Sequence, residues 1–156
     1  MNILITGCNG QLGNELQLQQ AACSEHRFFN TDVQDLDITD AEAIQAYVDR
    51  HEIDGIVNCA AYTAVDKAES APLLCHRLNA VAPAYLAEAI ERRGGFLIQV
   101  STDYVFDGTH HTPYVETDDP CPNSMYGRTK LEGETAAQDH CQRTMIIRTA
   151  WLYSTF

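Results

Sequence analysis

Basic residues are scarce in this chain of 156 residues: ten lysines and arginines stand against 22 aspartates and glutamates, for a formal net charge of -12. Proteins bind nucleic acid largely through clustered basic side chains that contact phosphates. The sequence shows no such cluster, so we expect no nucleic-acid partner. The excess of acidic residues indicates solubility rather than a particular partner.

Long apolar runs and paired cysteine motifs are missing as well. No run approaches the ~18 residues that a membrane-spanning helix needs, so we expect no membrane association. The cysteines form no C-x-x-C pair, have no spacing typical of zinc ligands, and follow no signal peptide. We therefore expect reduced thiols in a cytoplasmic protein without a bound metal, and we interpret His110-His111 as part of a solvated loop. The six cysteines are Cys8, Cys23, Cys59, Cys75, Cys121 and Cys141.

Short apolar runs alternate with helical patterns along the whole chain. This alternation is typical of a parallel sheet with helices on both faces, and the length fits one domain, residues 1–156. The predicted strands are 2–6, 27–31, 55–60, 96–101 and 144–149, and the predicted helices are 11–22, one that begins at Thr39-Asp40, 72–93 and 126–138.

Gly7, Gly10 and Gly13 lie between the first strand and the first helix, in the spacing G-x-x-G-x-x-G. Glycine lets the backbone turn tightly and approach a pyrophosphate, and the N-terminus of the next helix offers free N–H groups to phosphates. Together with the strand–helix alternation, the motif predicts a Rossmann-like doubly wound sheet that binds a dinucleotide. A plain tight turn is the alternative.

Asp32 follows the second strand, about 20 residues beyond the glycine loop, where such folds place an acid against the adenosine ribose. Arg27 begins the same strand and is poorly placed to bind a 2′-phosphate. We therefore expect NADH to be preferred over NADPH. A loop aspartate that caps a turn is the alternative.

Tyr126 and Lys130 are four residues apart in a predicted helix, so their side chains face the same way. We expect both to point into the crevice at the strand ends. A neighbouring ammonium should lower the pKa of the phenol and make it a better proton relay. Thr102, at the end of the fourth strand, can donate a hydrogen bond to a carbonyl oxygen. An ordinary polar helix face is the alternative, which the glycine motif disfavours.

With these residues, the chain resembles the extended short-chain dehydrogenase/reductase family and, within it, the dTDP-4-dehydrorhamnose reductases. The resemblance covers the chain from end to end. Its most specific segments are Val65-Asp66-Lys67-Ala68-Glu69 and Ser101-Thr102-Asp103-Tyr104-Val105-Phe106-Asp107-Gly108.

The resemblance implies a reductase that uses NADH or NADPH to convert dTDP-4-dehydro-L-rhamnose into dTDP-L-rhamnose. Tyr126 would donate a proton to the 4-keto oxygen, Lys130 would assist it, and Thr102 would hydrogen-bond the carbonyl. Tyr126 and Lys130 are also expected to contact the cofactor, Lys130 by holding the nicotinamide ribose. The other residues implied to contact the cofactor are Gly10, Gln11, Leu12, Asp32, Asp37, Ile38, Ala61, Tyr62 and Thr63. Those implied to contact the nucleotide sugar are Thr102, Asp103 and Trp151.

Members of that family continue beyond the fifth strand into a substrate-binding part, so we expect this chain to be a fragment whose activity alone is in question. A homodimer of the full-length protein stays open. So does a sugar-nucleotide epimerase or dehydratase with the same tyrosine and lysine, which the two specific segments disfavour. A non-catalytic regulatory subunit of the methionine adenosyltransferase type is disfavoured because Tyr126, Lys130 and Thr102 are intact.

Overall fold

A computed structural model describes residues 1–156, and its centre is one all-parallel sheet of five strands in the order β2-β1-β3-β4-β5. Parallel neighbours require crossover connections, so the carboxyl ends of all five strands meet at one edge. The predicted doubly wound, Rossmann-like sheet is confirmed. The strands are β1 (Asn2–Thr6), β2 (Arg27–Thr31), β3 (Gly55–Asn58), β4 (Phe96–Thr102) and β5 (Thr144–Thr149).

Six helices connect and cover the strands. Two of them begin at side-chain caps: the Asp40 carboxylate accepts from the Ala43 N–H at 3.0 Å, and the Ser124 hydroxyl accepts from the Gly127 N–H at 3.0 Å. Such caps satisfy N–H groups that have no partner within the helix. The helices are α1 (Gln11–Gln19), α2 (Ala41–Arg50), α3 (Val65–Ala68), α4 (Pro72–His76), α5 (Ala82–Glu91) and α6 (Met125–His140). None of them has both the length and the apolar character needed to cross a bilayer.

Three of the differences between the observed and the predicted elements concern the surroundings of the site. Helix α3 was not predicted, and the predicted helix 72–93 is interrupted by a π-helical turn, Arg77–Val81, between α4 and α5. Strand β3 ends at Asn58 because the Ala60 N–H turns back to the Asn58 side-chain oxygen at 3.2 Å. All three differences lie beside the carboxyl edge of the sheet.

Alternate residues of β1 face two different layers. Leu4 belongs to the main core, where it is fully buried with Ile56 and Leu97 of the neighbouring strands against α2, α5 and α6. Ile3 and Ile5 point to the other face, where Leu16 of α1 packs on them. The period-two alternation of the strand therefore gives it two buried faces, and α1 packs on the face opposite to α2, α5 and α6.

Candidate functional site

The carboxyl ends of the strands border a cleft of about 840 Å³. Every residue that the sequence singled out for cofactor, substrate or proton transfer lines it, with the exception of Tyr62. The Tyr62 ring instead packs with Ala68, Cys75 and Tyr126 in a small separate cluster. The cleft also has apolar walls that sequence reasoning missed, among them Val33, Leu36, Val65 and Leu78.

The glycine loop forms one end of the cleft and leaves no room for side chains. Gly7 has a φ of +66°, and a Cβ there would lie 2.7 Å from the Ala60 backbone. A Cβ at Gly13 would lie 2.6 Å from the Cα of Cys8. Gly10 is the N-cap of α1, which has no side-chain cap and no acidic residue in its first turn. Its first N–H groups are therefore free to bind an anion in the cleft.

Asp32 joins the end of β2 to the glycine loop. Its carboxylate accepts hydrogen bonds from the Asn9 N–H at 3.1 Å and from the Val33 N–H at 2.8 Å. The carboxylate of Asp35 accepts from the Asp32 N–H at 3.1 Å. Asp32 thus caps the loop and also lines the cleft, so the two interpretations of this residue are compatible. Arg27 begins β2 at the opposite edge, with its guanidinium 4.8 Å from the ring centre of Phe29.

Tyr126 and Lys130 lie together in the floor of the cleft, 8% and 4% exposed. The Lys130 ammonium donates to the Val100 carbonyl at 2.7 Å. Burial lowers the pKa of Lys130 to about 8, against the opposing effect of Glu134. Burial also raises the pKa of Tyr126, although the Thr102 hydroxyl acts in the other direction. The prediction that Lys130 lowers the pKa of Tyr126 is wrong here, because desolvation dominates and the ammonium is turned to a backbone carbonyl.

The other predicted polar residues keep local hydrogen bonds at the rim. The Thr102 hydroxyl donates to the Asp103 carboxylate at 3.1 Å and accepts from the Tyr104 N–H at 3.2 Å. Thr39 donates to the Asp37 carboxylate through both its N–H and its hydroxyl, which lowers the pKa of Asp37. Trp151 is 82% exposed, so one face of the cleft is open beside the indole.

Asn79, in the π-helical turn, is a buried residue that sequence reasoning missed. Its side-chain oxygen accepts from the Tyr62 N–H at 2.8 Å, and its amide donates to the Tyr62 carbonyl at 3.0 Å. The same amide contacts the Thr129 hydroxyl at 3.3 Å. Asn79 therefore connects the loop after β3 to the helix that carries Tyr126 and Lys130. Its only sequence signal was an amide among the apolar residues Leu78, Ala80, Val81 and Ala82.

Glu134 is the other missed residue, and it is 3% exposed. The Arg148 guanidinium donates to its carboxylate through Nε at 3.0 Å and through Nη2 at 2.6 Å. The Ser101 hydroxyl also donates to this carboxylate. A buried charge needs such partners. The signal in the sequence was its partner Arg148, which follows the apolar run 145–147 in β5 and needs an acidic partner if buried.

The structure contains neither a cluster of metal-ligating side chains nor a disulfide. No group of three or more histidine, cysteine or acidic side chains is arranged to hold a metal ion. His110 stacks on the Tyr114 ring at 4.8 Å. All six cysteines are free.

Comparison with known proteins finds several dTDP-4-dehydrorhamnose reductases that are similar to this chain. The dTDP-4-dehydrorhamnose reductase of Shigella flexneri is 43% identical over 156 residues, which are 99% of this chain and 52% of that protein. The crystal structure of the Clostridium acetobutylicum dTDP-4-dehydrorhamnose reductase superposes with a TM-score of 0.96 at 46% identity and covers 100% of this chain and 55% of that one. The Bacillus anthracis enzyme, crystallised in complex with NADP, gives 0.93 at 38% identity over 97% of this chain and 54% of that one.

The chain spans about half the length of the curated relatives it matches. The similarity nevertheless extends over the whole of this chain, as the motifs at both of its ends predicted. The family model described as the RmlD substrate binding domain matches residues 1–156. The resemblance to dTDP-4-dehydrorhamnose reductases is thereby confirmed, and the chain belongs to the RmlD substrate binding domain family.

Proposed function

We propose that residues 1–156 form the NAD(P)-binding domain of a reductase that converts the 4-keto group of dTDP-4-dehydro-L-rhamnose into the alcohol of dTDP-L-rhamnose. One observation carries the proposal: Tyr126, Lys130 and Thr102 border the same cleft as the uncapped glycine loop. Family membership supports this choice of substrate, because the relatives at 42–43% identity are named for it.

A dinucleotide fits the residues that are present. The cradle at Gly7 and Gly13 would be filled by any Cβ, and the first turn of α1 offers free N–H groups to a pyrophosphate. Asp32 would accept hydrogen bonds from the adenosine ribose. Asp37, Ile38, Ala61 and Thr63, which line the cleft, would form the walls around the cofactor, with the Tyr62 backbone behind them. A bound reduced nicotinamide would supply the hydride for the carbonyl carbon.

Reduction of a ketone also needs an acid to protonate the developing alkoxide, and Tyr126 takes that role. Burial raises the pKa of Tyr126 and so favours the protonated phenol, the form that can donate a proton. Lys130, whose ammonium now donates to the Val100 carbonyl at 2.7 Å, would hold the nicotinamide ribose. Thr102 hydrogen-bonds the carbonyl oxygen, and Asp103 and Trp151 contact the nucleotide sugar.

NADH is the proposed preferred cofactor. Asp32 lines the cleft, and the Asp35 carboxylate lies beside it, accepting from the Asp32 N–H at 3.1 Å. Two carboxylates near the proposed ribose site would repel a 2′-phosphate. Arg27, at the far end of β2, cannot offset that repulsion. The NADP complex of the Bacillus anthracis relative makes NADPH the comparison to test. We also place the protein in the cytoplasm, where its six free thiols stay reduced.

Cofactor stoichiometry separates the competing functions. The whole protein that contains this chain is incubated with the 4-keto sugar nucleotide and NADH, and both NADH loss and product are measured. A reductase consumes one NADH per product. An epimerase or dehydratase returns its cofactor to the starting state, so NADH does not fall, and a regulatory subunit forms no product. Product without loss of reduced cofactor would refute the proposal. Sedimentation of the same protein tests for the homodimer.

A further inference from the structure

The carboxylate of Glu134 lies one helical turn beyond Lys130 on α6, and both side chains are buried. Residues spaced i and i+4 on a helix are neighbours on one face. Glu134 is held from two sides, by the bidentate Arg148 guanidinium and by the Ser101 hydroxyl. The carboxylate therefore cannot turn away to solvent.

The same two partners connect Glu134 to the rim of the cleft. Ser101 directly precedes Thr102 on β4, and Arg148 directly precedes Thr149, a residue of the cleft wall on β5. The Arg148 guanidinium also lies 5.0 Å from the ring centre of Phe106. Glu134 therefore joins α6 to the ends of β4 and β5, one helical turn from Lys130.

Lys130 needs a counter-charge, because burial by itself favours the neutral amine. The groups whose charge acts on Lys130 are the Glu134 carboxylate and the thiols of Cys75 and Cys59, and the phenol of Tyr126 lies one turn earlier on the same helix. Glu134 is the only carboxylate among them. Burial raises the pKa of Cys59 to about 12 and also that of Tyr126, so neither supplies an anion at neutral pH.

Building on the proposed function, we propose that Glu134 is a positioning residue that keeps Lys130 in its ammonium form beneath the cleft, and that Arg148 limits the strength of this effect. An unpaired Glu134 would attract the ammonium more strongly, since the guanidinium cancels part of its charge. The two partners of one ion pair should therefore act on Lys130 with opposite signs. A role in stability alone would make both substitutions act alike.

The chain offers a direct measurement, because it contains only two lysines, Lys67 and Lys130. With ¹³C-labelled lysine, NMR titration follows each Cε signal against pH in the ligand-free chain, and exposed Lys67 serves as the internal reference. Glu134→Gln should lower the pKa of Lys130 by about one pH unit or more, the usual effect of a neighbouring opposite charge. Arg148→Gln should raise it.

Glu132→Gln is the matched control, because Glu132 is on the same helix but exposed, 3.3 Å from the imidazole of His76. It should leave both lysines unchanged. If Glu134→Gln leaves the pKa of Lys130 in place, or if both ion-pair variants move it the same way, the proposal is overturned. If Glu134→Gln does not fold, Arg148→Gln decides alone, and the absence of a rise overturns the proposal.

Calorimetry of NADH binding to the same proteins separates this inference from the proposed function. Opposite shifts of the pKa of Lys130 without NADH binding would uphold the role of Glu134 and count against the reductase. NADH binding without a shift in the pKa of Lys130 would support the reductase and overturn the role of Glu134.

Discussion

Truncation of Asn79 to alanine should destabilise the fold strongly for a single polar residue. The change removes two hydrogen bonds to the Tyr62 backbone, at 2.8 and 3.0 Å, and the contact with Thr129. A typical hydrogen bond contributes about 1 kcal/mol net, and a buried polar group left without a partner costs about 1–3 kcal/mol. Asn79 is 1% exposed, so water cannot replace its amide. We expect a loss of roughly 2–4 kcal/mol in the free energy of unfolding.

Urea unfolding followed by circular dichroism measures this loss, with the midpoint and the slope fitted separately. Asn123→Ala is the matched control, because exposed Asn123 makes one hydrogen bond, to the Asp107 carbonyl at 3.2 Å. The control should change stability by less than about 0.5 kcal/mol, as surface substitutions usually do. A loss below about 1 kcal/mol for Asn79→Ala would show that the Tyr62 loop does not depend on this amide.

The remaining predictions concern cofactor, catalysis, charge and thiols. In the whole protein, Tyr126→Phe should reduce turnover by about 10²–10⁴ with NADH affinity within a few-fold, and near-normal turnover in a steady-state assay would exclude Tyr126 as the acid. NADH should bind more tightly than NADPH by calorimetry, and Asp32→Asn should narrow the difference; equal affinities in the wild type would contradict a ribose contact. Gly13→Ala should abolish binding of both nucleotides, because the Cβ meets the Cys8 backbone at 2.6 Å, and unchanged affinity would argue against the cradle. The pKa of Lys130 is lowered from 10.5 to about 8, so between these pH values the unfolded chain binds more protons than the folded chain and the free energy of unfolding should rise with pH. Lys130→Met should remove that rise in urea titrations at several pH values. Equal pH dependence of stability in the variant and the wild type would refute this prediction. Thiol titration of the unfolded, unreduced chain should return six free thiols, and a lower count would reveal a disulfide.

The strands, most of the helices and the glycine loop could be predicted from the sequence because each depends on residues close together in the chain. Apolar runs identify β1 and β4 regardless of the positions of these strands in the sheet. The Asp40 carboxylate caps α2 by accepting from the N–H of Ala43, which is only three residues further along the chain. The spacing of Tyr126 and Lys130 likewise places both on one face of α6. Parallel pairing then brings the carboxyl ends of the strands together, so the position of the cleft follows from local patterns and topology.

The pKa values and hydrogen-bond partners of the side chains in and behind that cleft depend on the tertiary structure. Spacing alone suggested that Lys130 acidifies Tyr126, but burial raises the pKa of Tyr126 and the ammonium donates to Val100, 30 residues away. The bonds from Asn79 to Tyr62 and from Arg148 to Glu134 also join residues on different elements. Desolvation and long-range hydrogen bonds depend on what surrounds a side chain in space, and a pattern of near neighbours in the chain carries no record of those surroundings.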